Sequence, residues 1–175
     1  MTPKISDIYA ALVNDTARNE QILNDVLLAL EKKRVPILLT ERTKHLEWFS
    51  ERLNKFVKNL FILHGGMKSA LKKETLEKLF NLPSDEERLI LSTGKYIGEG
   101  FDDPRLDTLF LALPISWQGT LQQYVGRLHR THADKTEIVV YDYVDANVPM
   151  LHKMYKKRFK KYITMGYTME GEFHE

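Results

Sequence analysis

The chain has 175 residues, 43% of them hydrophobic and 29% charged, with a net charge of +2 and no cysteine. That length and balance suit one compact domain with its own core, and they exclude a disordered or collagen-like chain. The missing thiols exclude disulfides, zinc–thiolate sites and thiol nucleophiles, no apolar run approaches the about 20 residues of a membrane span, and the charge is too even to mark a nucleic-acid binder by itself.

Ile5, Ile8, Tyr9, Leu12 and Val13 recur at helical spacing, as do Ile22, Leu23, Val26, Leu27 and Leu30, with Asn14-Asp15-Thr16 as break and cap between them. Pro36 introduces the short apolar run Ile37-Leu38-Leu39-Thr40, which reads as a buried strand. Leu46, Phe49, Leu53 and Phe56 return to helical spacing, Leu60–Leu63 is a second strand closed by His64-Gly65-Gly66, and Leu76, Leu79 and Phe80 mark a further helix that ends near Pro83. Ser84-Asp85-Glu86-Glu87 has the form of a capping box, yet the run Arg88–Thr93 behind it is a strand. A glycine-spaced loop follows (Gly94, Gly98, Gly100), then a strand over Thr108–Leu113, a helix over about Thr120–Arg130, a strand over Glu137–Asp142 and a basic helix over about Val148–Ile163. Strands with nearly continuous apolar runs alternate with helices, so the expected fold is α/β, a three-layer α/β/α sandwich on a mostly parallel sheet. The expected division is a helical extension over 1–34, a core over 35–147, and a basic helix and tail over 148–175. Residues 1–34 either pack on the sheet or join this unit to another.

The helical segment around residue 125 carries the most chemistry. Wound at about 100° per residue, Leu121, Tyr124, Val125 and Leu128 share one face, and Gln123, Gly126, Arg127 and Arg130 share the other. Two guanidinium groups one turn apart make either a solvated basic face or a clamp that forks onto phosphate oxygens. A glycine in mid-helix costs about 1 kcal/mol against alanine, which tilts the reading away from a plain solvated face and toward a close approach by something at Gly126. The loop from Thr93-Gly94-Lys95 to Gly100-Phe101-Asp102-Asp103 adds a hydroxyl, a lysine, two carboxylates and backbone that can approach an anion.

Taken together, Thr93-Gly94…Gly100-Phe101-Asp102 and Gln123-x-x-Gly126-Arg127-x-x-Arg130 resemble motifs V and VI of superfamily 2 helicases and translocases. Leu38–His45 resembles motif IV, and His64-Gly65-Gly66 the next strand-end loop. The likeness spans roughly residues 34–145 and is to the second, C-terminal RecA-like domain of DEAD/DEAH-type motors, nearest the bacterial restriction-enzyme-like branch. It implies that Arg127 and Arg130 are arginine fingers, that Gln123, Gly100 and Asp102 face the nucleotide, with Asp102 either near the ribose or coupled to the arginines, and that Thr40, Arg42, Gly65, Thr93 and Gly94 touch the tracked strand; Lys95 joins them on charge alone. It implies as partners an N-terminal RecA-like lobe of the same protein and DNA or RNA, with ATP and Mg held mainly by that lobe and none by this chain alone. Thr120 and Gln123 also fit a capping box, which competes for the Gln123 carboxamide.

No G-x-x-x-x-G-K-[ST] occurs in the chain, and Asp85-Glu86-Glu87 precedes a strand where a magnesium-binding carboxylate would follow one. The expectation is a fragment that does not hydrolyse ATP alone, monomeric and cytoplasmic, with no membrane partner. Non-catalytic interaction modules and small-molecule phosphate-binding domains are the rival readings. His129-x-x-His132 lacks a third ligand at matching spacing, so no metal is expected there; His45 and His64 read as polar contacts at element ends. Lys153, Lys156, Lys157, Arg158, Lys160 and Lys161 form either a solvated face or a phosphate track, and Tyr155, Phe159, Tyr162 and Ile163 are expected to dock that helix on the domain. Trp117 serves either base stacking or the core.

Overall fold

The five apolar runs become five short strands, β1 (Pro36–Thr40), β2 (Leu60–Leu63), β3 (Leu89–Thr93), β4 (Thr108–Leu111) and β5 (Val139–Asp142). They form one sheet in the order β2-β3-β1-β4-β5, and every pairing is parallel. The computed structural model describes residues 1–97, 101–115 and 118–171. Its helices are α1 (Ile5–Val13), α2 (Thr16–Glu31), α3 (Thr43–Leu53), α4 (Ser69–Asn81), α5 (Gly94–Ile97), α6 (Gln118–Leu128) and α7 (Pro149–Thr164).

The two-residue period of a strand sends alternate side chains to opposite faces. In register, Leu38 lies beside Leu91 and Phe110, and these pack against Ile22 and Val26 of α2 and Phe49 and Leu53 of α3. Ile37 lies beside Ile90 and Leu109, and with Leu39 and Leu111 these pack against Leu79 of α4 and Leu121, Val125 and Leu128 of α6. The α/β/α sandwich is therefore present, with a sheet that is wholly parallel. A third cluster joins Ile8, Leu12 and Val13 of α1 to Leu113, Leu151 and Met154, seating α1 against α7 beyond the carboxyl end of β4.

Several boundaries differ from the expected ones. Helix α2 lies within 1–34, yet Ile22, Val26, Ala29 and Leu30 form one layer of the sandwich, so it belongs to the core. The Asp15 carboxylate caps it by accepting from the Arg18 backbone N–H at 3.1 Å. Gly94 opens the single-turn helix α5 where a loop was expected. On α7 the buried stripe is Leu151, Met154, Tyr155, Arg158 and Tyr162, while Phe159 and Ile163 are exposed. Those two sit one residue out of phase with Arg158 and Tyr162, about 100° round the helix.

Arg158 is held by what it meets in the interior. Its Nε and Nη2 donate to the two carboxylate oxygens of Asp142 at 2.7 and 2.8 Å, and its Nη1 donates to the Ile115 carbonyl at 2.9 Å. Tyr162 donates to the same carboxylate at 2.8 Å. One buried guanidinium thus ties α7 to the carboxyl ends of β5 and β4.

Candidate functional site

Helix α6 connects two parallel strands, so it must carry the chain from the carboxyl edge of β4 back to the amino edge of β5. Its two ends therefore serve opposite rims of the sheet. Leu121, Tyr124, Val125 and Leu128 are buried, while Gln123 and Gly126 are exposed and Arg127 partly so. The amphipathic division expected from the sequence is the one the fold adopts. Thr120 is the third helical residue, so Thr120 and Gln123 do not form an N-terminal capping box.

The helix ends at Leu128, and the His129 N–H bonds the Gly126 carbonyl at 3.2 Å to close its last turn. Arg130 therefore lies beyond the rod that carries Arg127. Lys135 fixes this exit by donating to the carbonyls of Leu128 and Arg130 at 2.7 and 2.6 Å. A cation there also suits the negative end of the helix dipole, although burial pushes the Lys135 ammonium below its ordinary value. Sequence patterning misses Lys135, since it follows the helix by seven residues and has no periodic signal.

Arg130 Nη2 pairs with Asp102 Oδ2 at 3.2 Å, with side-chain exposures of 57% and 34%. The Arg127 guanidinium has no hydrogen-bond or ion-pair partner among the described residues, and a Cβ added at Gly126 would meet nothing within 4 Å. The glycine thus leaves free space beside an unpaired cation. Gly100 lies outside the described residues, as does Trp117, so the structure places neither.

The opposite rim gathers the strand-exit residues. Thr40 is buried, and its hydroxyl donates to His45 Nδ1 at 2.8 Å while accepting the Arg42 N–H at 3.4 Å. His45 Nε2 lies 2.8 Å from Asn19 Oδ1, and Asn19 Nδ2 donates to the Val13 carbonyl at 2.8 Å. Since the Asn19 amide uses its NH2 on Val13, its oxygen must accept, so His45 is the neutral tautomer with the proton on Nε2. Burial, with the Arg18 charge next, pushes the imidazole pKa down to about 3. This buried chain, with Thr40 itself only 1% exposed, leaves Thr40 no surface to offer a strand. Arg42 is exposed, with its guanidinium 5.7 Å from the ring centre of Tyr9 on α1. Gly65 is exposed with open space around it, Thr93 is partly exposed, and Lys95 is the second residue of α5.

Gly94 is where α6 meets the strand-exit rim. The Tyr124 hydroxyl of α6 and a Glu41 carboxylate oxygen occupy the volume that a Cβ at Gly94 would need. Burial, before any neighbouring charge, raises both the Glu41 carboxyl and the Tyr124 hydroxyl above their ordinary values. Tyr124 precedes Arg127 by one helical turn, so the β1 and β3 exits and the arginine end of α6 share one rigid lever. His129 Nε2 meets the Tyr167 hydroxyl at 2.9 Å.

Among the described residues no helix is long and apolar enough to cross a membrane. Among curated proteins the chain is 30% identical to "Transcript termination protein A18" of Yaba-like disease virus over 132 residues, 74% of this chain and 27% of that protein. It is 29% identical to "Putative helicase 161L" of Invertebrate iridescent virus 6 over 168 residues, 90% of this chain and 37% of that protein. The chain thus spans well under half the length of these relatives. Among solved structures it resembles T4 UvsW with a TM-score of 0.72 and 17% identity, covering 93% of this chain and 35% of that one. The C-terminal part of the Fun30 ATPase domain gives 0.63 and 14%, covering 81% and 46%. At those identities the likeness is one of fold. The family described as Helicase conserved C-terminal domain matches residues 18–132, a span that runs from α2 through the arginine segment. Since that match takes in more than half of the chain, the chain belongs to the helicase conserved C-terminal domain family.

Proposed function

We propose that this chain is the second motor lobe of an ATP-dependent nucleic-acid helicase or translocase. The observation that carries the reading is the pairing of Arg127, unpartnered among the described residues, with open space at Gly126 on a helix packed firmly against the sheet. A guanidinium is always charged and forks onto phosphate oxygens. Held on a rigid scaffold, it is prearranged to meet charge that develops on a transferring phosphoryl group. Bound mainly by the N-terminal lobe with its Mg ion, ATP supplies the driving free energy. Arg127 reaches across the gap when the lobes close, and Arg130 joins it by exchanging Asp102 for phosphate. That exchange is cheap, because exposed ion pairs contribute only about 0–1 kcal/mol.

On the other rim, Arg42, Gly65, Thr93 and Lys95 contact the tracked strand, while Thr40 and Gly94, both buried, support that rim from beneath. Tyr124 transmits between the rims, because strain at the β1 and β3 exits reaches α6 through the Tyr124–Gly94–Glu41 contact. Gln123, Gly100 and Asp102 face the nucleotide in this reading. The relatives named above are viral proteins named for transcript termination and as a putative helicase, and we place the complete protein beside them. The test is nucleic-acid-stimulated ATPase of the complete two-lobe protein. Stimulation by single-stranded or duplex DNA or RNA supports a motor. A complete protein that binds nucleic acid with no ATP turnover favours the non-catalytic module instead, for which the Arg130–Asp102 pair is the supporting observation.

A further inference from the structure

Helix α7 lies beyond residues 18–132, the span the family match covers. Its inner stripe is fixed by burial and by the Arg158–Asp142 pair. Lys153, Lys156, Lys157 and Lys160 are all exposed, and at about 100° per residue they fall within an arc of about 100° opposite that stripe. Between Asp145 and Glu170 the chain has no acidic residue. None of these four lysines has an ion-pair partner among the described residues, whereas Lys58 and Lys78 pair with Glu86 and Glu74. A chain whose net charge is only +2 has therefore concentrated unpaired positive charge on one helix face.

Apolar groups flank that face. Phe159 and Ile163, one turn apart, are 36% and 51% exposed. A ring standing beside unpaired ammonium groups suits a polyanion that also carries flat faces to stack. We propose that the outer face of α7 is a second binding track for single-stranded nucleic acid, with phosphates on Lys153, Lys156, Lys157 and Lys160 and a base on Phe159. The placement supports this. Arg158 anchors α7 to Ile115 and Asp142 at the carboxyl rim of the sheet, the rim that carries the strand-exit residues. A strand leaving that rim meets the lysine face of a helix that cannot swing away. The track rests on the nucleic-acid reading above but is separable from the arginine chemistry.

The test is fluorescence anisotropy of this chain with fluorescein-labelled 20-nucleotide single strands, DNA in one arm and RNA in the other, across a salt series. Replacing Lys153, Lys156, Lys157 and Lys160 together by Gln should weaken binding at least tenfold at 0.1 M salt. It should also flatten the slope of log affinity against log salt by about 0.7 for each lysine that meets a phosphate. Phe159→Ala should weaken binding about fivefold or more with the slope unchanged, as loss of a stacked base requires. The four lysines are exposed, so the melting temperature of the lysine variant should stay within 2 °C of wild type. Wild-type affinity and slope in the lysine variant would overturn the track, as would no binding by wild type or equal binding of a fluorescein-labelled poly-Glu peptide. In the complete protein the lysine variant should keep its basal ATPase while needing more nucleic acid for half-maximal stimulation. Failure of the track thus leaves the arginine chemistry to be judged by Arg127→Ala alone.

Discussion

The Arg158–Asp142 pair gives a prediction whose size follows from the geometry. Their side chains are 2% and 9% exposed, and the guanidinium makes three short hydrogen bonds, two of them to Asp142. Asp142→Asn removes the countercharge and leaves a buried cation with neutral partners only. Breaking one side of a buried pair costs about 3–5 kcal/mol. For a domain of this size each kcal/mol lowers the midpoint by about 2–4 °C, so the expected fall is roughly 6–20 °C. Asp102→Asn serves as the control, because its partner Arg130 is exposed and such pairs contribute about 0–1 kcal/mol. Replacing both members, as Arg158→Met with Asp142→Leu, should recover at least half of the loss, since no charge is then stranded. Thermal melts followed by circular dichroism give all four values. An Asp142→Asn midpoint within 2 °C of wild type would refute the claim that this pair holds α7 in place.

Two further outcomes follow from the carboxyl rim. Gly94→Ala should lower stability by about 1–3 kcal/mol, because its methyl overlaps the Tyr124 hydroxyl and Glu41. Adding Tyr124→Phe should recover a measurable part in urea denaturation, and no recovery would mean that the Tyr124 hydroxyl is not what the methyl meets. His45 predicts a pH dependence. The unfolded imidazole takes up a proton near pH 6.5 that the folded one refuses until about pH 3. Stability from this group is therefore complete above pH 6.5 and lost as pH falls through the window, by at most about 1.4 kcal/mol per unit. Urea midpoints at pH 7.5, 6 and 5 should fall more steeply in wild type than in His45→Gln, and equal slopes would contradict the buried neutral tautomer.

Much of this architecture is legible in the sequence because it rests on local patterns. The runs at 37–40, 60–63, 89–93 and 108–111 have no polar alternation, as strands covered on both faces require. Leu121, Tyr124, Val125 and Leu128 recur at the helical period and are buried as that period implies. What escapes is non-local or breaks a compositional rule. Arg158 reads as one of six cations on a solvated face or phosphate track, yet it is buried, because Asp142, 16 residues away, supplies countercharge. Thr40 reads as a ligand contact, yet its hydroxyl is committed to a histidine five residues on. A single turn opened by Gly94 is too short to show a period at all. At the candidate site, Arg127 and its helical face are visible in the pattern. The departure of Arg130 from the helix and the cap by Lys135 depend on where α6 stops, and element boundaries are weakly encoded.

The most direct measurement is single-turnover ATP hydrolysis by the complete two-lobe protein with saturating nucleic acid, comparing wild type with Arg127→Ala and Arg127→Lys. If Arg127 meets the developing charge on the transferred phosphoryl group, Arg127→Ala should slow hydrolysis by about 10³-fold or more. Arg127→Lys should rescue little of that, since a point charge cannot fork, and ATP affinity should change less than threefold. Hydrolysis within tenfold of wild type in Arg127→Ala, with the lobes still closing on ATP, would contradict the account.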